Sequence, residues 1–365
     1  MKMSPFSFVR RCLHASLLTA WLLACGTASA AERPLRVAAS FSILADLVTQ
    51  VGGPRIQVQS LVGPEQDAHV FRPRPSDVAQ LREAALIVMN GAGFDPWMTR
   101  LIESSETRAP VLVLTRGLAL RAAEDEAFGQ KQEAREHEHE HEHDQHHERE
   151  HGHGDAHHGD AYGGMHEADS GARTERPSER TRADAHLHGP IDPHAWQDPR
   201  NVVAMVNEIV QALAQVDPDH ADEYRQRADE YIGNLQALDA EIERELARIP
   251  AEQRRVITSH AAMAYFGARY GIEFIGAQGL STASEPSAGE IAALVRQARQ
   301  GGIRAVFLEG VSSSSLLEQV AREAGLSLGG RLYTDTLSTA EGPAPTYIDM
   351  MRHNTISLVK ALVPQ

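Results

Sequence analysis

Four polar residues stand where strand-like runs end, and their types are those that hold a metal ion. His69 follows the apolar run 56–62, within Gly63-Pro64-Glu65-Gln66-Asp67-Ala68-His69-Val70-Phe71. His194 precedes a helical pattern in Asp192-Pro193-His194-Ala195-Trp196-Gln197-Asp198-Pro199, and His260 directly follows the run 255–259. Asp335 follows the last run, 328–333, in Leu332-Tyr333-Thr334-Asp335. A lone loop histidine is more often a surface or hydrogen-bonded residue than a ligand. Four such residues at equivalent strand ends carry more weight, because ligands of open α/β sheets bind outside the carboxyl ends of the strands. Two from each half would close a tetrahedral site with bonds of about 2.0–2.2 Å, the coordination zinc takes with nitrogen and oxygen donors. Thiolates are not on offer, since Cys12 and Cys25 both fall in the N-terminal leader.

A second set of histidines has a different character. Of the 19 in the chain, 13 lie between His137 and His188. His137, His139, His141 and His143 alternate with Glu, and His146, His147, His151, His153, His157 and His158 follow. Many imidazoles within reach of one ion make this stretch a candidate for looser metal capture. Residues 122–189 hold 18 Asp and Glu against 7 Lys and Arg, which accounts for −11 of the formal charge of −15. A segment this polar cannot bury a core and is expected to be disordered, and an insert of its length is either functional or a linker. The remaining chain is only mildly acidic, without the basic stripe that nucleic acid requires. A cationic ligand suits it better.

The elements that must position the four residues follow from hydrophobic runs. A leader over 1–30 has Lys2, Arg10 and Arg11, a short apolar run, and Ala28-Ser29-Ala30 as cleavage site, so export is expected. Leu22-Leu23-Ala24-Cys25 also fits a lipoprotein box, which would tether the chain through Cys25. Runs at 35–39, 56–62, 85–90 and 111–115 read as strands with helical segments between them, and their near-continuous apolar character fits a parallel sheet covered on both faces. A second series reads the same way at 255–259, 273–277, 304–309 and 328–333, with helices beginning near His260, Ser287, Ser314 and Pro345. Asp198 and Pro199 open a helix that runs to about Val216. The expected architecture is therefore α/β: a lobe over 31–215 containing the insert 122–189, a long rigid helix over 216–250, and a second lobe over 251–365, each lobe a mainly parallel sheet flanked by helices.

At this point the chain resembles the receptors of ABC-type metal uptake systems, the periplasmic zinc and manganese solute-binding proteins of the ZnuA type. The resemblance rests on Val37 to Asp46, Asp67-Ala68-His69-Val70-Phe71, Asn90-Gly91 leading to Trp97, Asp192 to Pro199, Ser259-His260, Glu285-Pro286-Ser287 and Tyr333 to Ser338, a set that spans nearly the whole mature chain. It implies metal ligation by His69, His194, His260 and Asp335, with Zn2+ as a transported ligand rather than a catalyst. It also implies a periplasmic monomer whose partners are a membrane permease with its cytoplasmic ATPase, and a periplasmic zinc metallochaperone as a further candidate. Final-helix His353 reads as structural or surface.

Three neutral imidazoles and one carboxylate favour borderline zinc, whereas manganese receptors of this kind typically carry a carboxylate where His260 stands. Glu285, Asp192 and Glu309 are candidates to accept from the second nitrogen of a ligand histidine; capping or an ordinary surface role is the alternative for each. A manganese receptor, a zinc buffer and a surface adhesin are competing readings. A zinc hydrolase fits poorly: the His-Glu-x-x-His spacing occurs only in the polar insert, at 137–141, 139–143 and 147–151, which does not read as a helix, and the chain lacks a Gly-x-Ser-x-Gly elbow.

Overall fold

The computed structural model describes residues 33–123, 191–283, 286–310 and 314–364. The ten loop histidines singled out above, and Glu285, lie outside the described residues. The first lobe is built from β1 (Leu35–Phe41), α1 (Ser42–Gly52), β2 (Ile56–Val62), α2 (Pro75–Glu83), β3 (Leu86–Met89), α3 (Trp97–Ser105), β4 (Val111–Val113) and α4 (Pro199–Val216). After α5 (Ala221–Leu246) the second lobe runs β5 (Arg255–His260), α6 (Ala264–Tyr270), β6 (Glu273–Gln278), α7 (Ala288–Gln300), β7 (Ala305–Glu309), α8 (Ser314–Ala324), β8 (Ser327–Leu332) and α9 (Tyr347–Leu362).

Both sheets are wholly parallel and share one plan, β2-β1-β3-β4 and β6-β5-β7-β8. Inner strands β1, β3, β5 and β7 are buried along most of their length because helices cover both faces, while edge strand β8 is largely exposed. In each sheet the chain goes to one side first and then to the other. Crevices therefore open at the carboxyl ends of β1 and β3, and of β5 and β7.

Helix α5 is 26 residues long, about 39 Å at 1.5 Å per residue. It buries one stripe, Tyr224, Ala228, Tyr231, Leu235, Leu238, Ile242 and Leu246, at the three-and-four spacing of an amphipathic helix. That stripe packs on α1 and α4 from the first lobe and on α6 and α9 from the second. The helix is shorter than the span 216–250 expected from sequence. Asp217 closes α4 through its N–H to Leu213 O, and Pro218 opens a 3-10 turn, so α5 begins only at Ala221. Two smaller expectations also shift: His260 is the last residue of β5 rather than the residue after it, and the next helix starts at Ala264.

One apolar cluster extends from β1 and α1 through α5 to α6 and α9, so the lobes share a core. A smaller cluster, including Ile257, Leu294, Val306, Leu317 and Val320, sits under α7 and α8 alone. Among the described residues no helix is long and apolar enough to cross a membrane.

Candidate metal centre

The structure brings His69, His194, His260 and Asp335 together, with their potential ligand atoms all within 4.8 Å of one another. Tetrahedral coordination at about 2.0–2.2 Å puts ligand atoms about 3.4 Å apart, a spacing within the range these four side chains span. Asp335 is the hub: its carboxylate lies 3.2 Å from His69 Nε2, 3.7 Å from His194 Nε2 and 2.8 Å from His260 Nε2. The three rings stand 5.5–5.7 Å apart, centre to centre. His353 lies outside this group, on α9, with its Nε2 3.0 Å from the Arg331 carbonyl oxygen.

Two of the three rings are fixed from behind by a carboxylate. His194 Nδ1 is 2.8 Å from Asp192 Oδ1, which also accepts the His194 backbone N–H, and Asp192 is itself buried. Glu309, at the carboxyl end of β7 and buried, contacts His260 Nδ1 through Oε2. Two of the three candidate acceptors thus occupy the expected place, leaving Nε2 to face the centre. The His69 backbone N–H donates to Asp67 Oδ1, and Thr282 of the second lobe donates to Asp67 Oδ2 at 2.7 Å.

The first-lobe rings also rest on an aromatic wall that sequence reading did not single out. The Phe94 ring is 4.7 Å from His69, 5.7 Å from His194 and 4.8 Å from Trp196. Phe94 is carried by a tight loop in which Gly91, Ala92 and Gly93 all have positive φ. Buried Asp95 secures this loop by accepting the N–H groups of Asn90 and Gly91. From the same loop region Asn90 Nδ2 donates to Pro193 O, and Trp97 Nε1 donates to Ala68 O, so one turn steadies the segments before both His194 and His69. The motif Asn90-Gly91 to Trp97 was legible; its role as a buttress needed the fold.

The centre is nearly sealed. His194 and His260 are buried, and the His69 and Asp335 side chains are 5% and 9% exposed. His194 Nε2, His260 Nε2 and Asp335 Oδ1 are buried without a well-aligned hydrogen bond, although His260 Nε2 lies 2.8 Å from Asp335 Oδ2. Burial opposes charge on His260, yet Glu309 and Asp335 outweigh it and hold the imidazole well above the ordinary histidine range. Burial likewise opposes charge on Asp335, but His260 and His194 hold its carboxyl well below the usual carboxylate range. On the His69 side a cavity of about 290 Å³ opens beside Phe94, Pro193 and Leu280, whereas the crevice beside Asp335 and Thr282 measures only about 10 Å³.

The chain matches the family described as zinc-uptake complex component A, periplasmic, over residues 37–361. It is 28% identical over 328 residues to the manganese-binding lipoprotein MntA of Halalkalibacterium halodurans, covering 90% of this chain and 88% of that one. To the iron-binding protein YfeA of Yersinia pestis it is 26% identical over 345 residues, covering 94% and 92%. Among solved structures, the periplasmic zinc binding protein TroA of Treponema pallidum superposes with a TM-score of 0.68 at 24% identity, covering 91% of this chain and all of that one. A Mn-bound periplasmic metal binding protein from Candidatus Liberibacter asiaticus gives 0.67 at 22% identity, covering 90% and 99%. Both have the same fold of two α/β lobes.

Proposed function

The chain belongs to the ZnuA family, and from that premise we propose that it is the ion-capturing receptor of an ABC-type metal uptake system, with Zn2+ as cargo held by His69, His194, His260 and Asp335. The observation that carries this reading is the convergence of three buried imidazole Nε2 atoms and one carboxylate from two lobes, several of them without a well-aligned hydrogen bond. Leaving such atoms unpaired costs about 1–3 kcal/mol each, and a bound cation removes that cost. Relatives named for manganese, iron and zinc leave the metal to be argued from the donors. Three imidazoles suit a borderline ion, and hard, oxygen-seeking Mn2+ gains little from them.

In this reading the protein is a receptor and not an enzyme. It works in the periplasm as a monomer, or is tethered through Cys25 as the relatives called lipoproteins suggest. Its cargo passes to a membrane permease driven by a cytoplasmic ATPase, and a periplasmic zinc metallochaperone is a further partner. The insert histidines act as a looser metal collector.

Titration with Zn2+, Mn2+ and Ni2+ of the full chain, and of a chain lacking 124–190, tests the assignment. One tight zinc per molecule is expected in both, lost when His260→Ala and Asp335→Ala are combined. Retention of the strongest zinc site by that double variant in the shortened chain would sink it.

A further inference from the structure

Asp335 follows β8 of the second lobe in sequence, yet the segment around it is held mainly by the first. The Thr334 carbonyl accepts from Trp196 Nε1 at 2.8 Å and from Gln197 Nε2 at 2.7 Å. Beyond the aspartate, the Leu337 N–H donates to Ser42 Oγ at 3.0 Å, and the Glu65 N–H is shared between Thr336 Oγ1 at 2.8 Å and Leu337 O at 3.0 Å. Glu65 makes these contacts from a left-handed conformation, φ 56°, that only a constrained non-glycine residue keeps. Residues just upstream are tied differently. Tyr333 exchanges hydrogen bonds with Asn354 of α9, and Leu332 O accepts from the Gly310 N–H. The change of allegiance falls between Tyr333 and Thr334.

His260 has the opposite attachment. Its carbonyl accepts from Thr258, the following Ala261 N–H donates to Gly279 O, and Glu309 backs its ring, all within the second lobe.

We infer that Ser42, Trp196 and Gln197, with the Glu65 N–H, are positioning residues for Asp335, so that three of the four ligands share the first lobe's frame and His260 alone belongs to the second. The division of the site is three and one, not the two and two that chain order suggests. The inference rests on the four residues being ligands. It makes Ser42 and Gln197 determinants of affinity although neither touches the ion, and it makes His260 the ligand whose arrival completes the set.

A double-mutant cycle on the full chain tests this, with zinc competition against a chelator read by tryptophan fluorescence, the Trp196 ring lying 5.3 Å from His194. Ser42→Ala is expected to weaken zinc by about tenfold in the otherwise unchanged chain and in His260→Ala. In the Asp335→Ala background the same substitution should change affinity by less than about twofold, because its route to the metal is gone. A merely structural serine would lower thermal stability in every background without this selective coupling. Gln197→Ala serves as the second entry to the same cycle should Ser42→Ala fail to fold. Equal weakening in all three backgrounds, or none in the unchanged chain, overturns the inference while leaving the metal site intact. If Asp335→Ala and His260→Ala themselves leave zinc affinity unchanged, the ligand assignment falls first.

Discussion

Glu309 offers the sharpest perturbation of the centre. Replacing it by glutamine keeps an oxygen able to accept from His260 Nδ1 and removes only the charge. Two consequences oppose each other. The ring loses a partner that raises its basicity as a ligand, an effect worth about tenfold in zinc affinity, or roughly 1.4 kcal/mol. The ion-free protein also loses the group that, with Asp335, holds a proton on buried His260. Zinc needs the neutral ring, so in the native chain each pH unit below the raised value weakens binding by about tenfold. With Glu309→Gln that value falls, and the proton competes less. The expected result is weaker binding at pH 8 together with a flatter dependence on pH between 8 and 6, so that the deficit shrinks on acidification. Chelator competition at several pH values measures both, the slope of log Kd counting protons released. An unchanged slope with reduced affinity would mean that Glu309 acts through packing, and the electrostatic argument would be wrong.

Two further outcomes follow from the same geometry. A Cβ at Gly276 of β6 would lie 2.6 Å from Ala261 N and 2.8 Å from His260 C, so Gly276→Ala should displace the end of β5. It should cost about 1–3 kcal/mol in chemical denaturation and weaken zinc as well; denaturation without a zinc defect would show that His260 is not set by that strand. The second concerns heat. Raised above its unfolded value, the His260 proton stabilises the ion-free fold fully below about pH 6.5, and that contribution fades as pH rises through the raised value. Zinc-loaded protein needs the ring unprotonated, so the rise in Tm produced by a fixed excess of zinc should be larger at pH 8 than at pH 6 by scanning calorimetry. The reverse order would refute the assigned proton.

The sequence reached the fold through its apolar runs, because parallel strands covered on both faces leave a continuous signal, as at Leu86–Met89. It reached the four clustered side chains through their strand-end positions, and Asp192 and Glu309 through the need of a fixed imidazole for a second acceptor. What it missed depends on pairings far apart in the chain. Ser42 meets Leu337 across 295 positions, and Gln197 meets Thr334 across 137, separations over which no local pattern speaks. Phe94 was hidden for a different reason, since a single aromatic after a glycine turn reads as ordinary core. Helix bounds slipped where a proline or a 3-10 turn, such as Pro218–His220, took residues from an otherwise unbroken periodic pattern.

The shared core has a consequence for how the molecule comes apart. Because α5 joins both lobes in one apolar cluster, they cannot melt as independent bodies, and most of the chain should unfold as a single cooperative unit. The small cluster beneath α7 and α8 is the exception. Amide hydrogens there should exchange earliest among the buried helices, opening the outer half of the second lobe while the platform bearing His69, His194 and Asp335 stays folded.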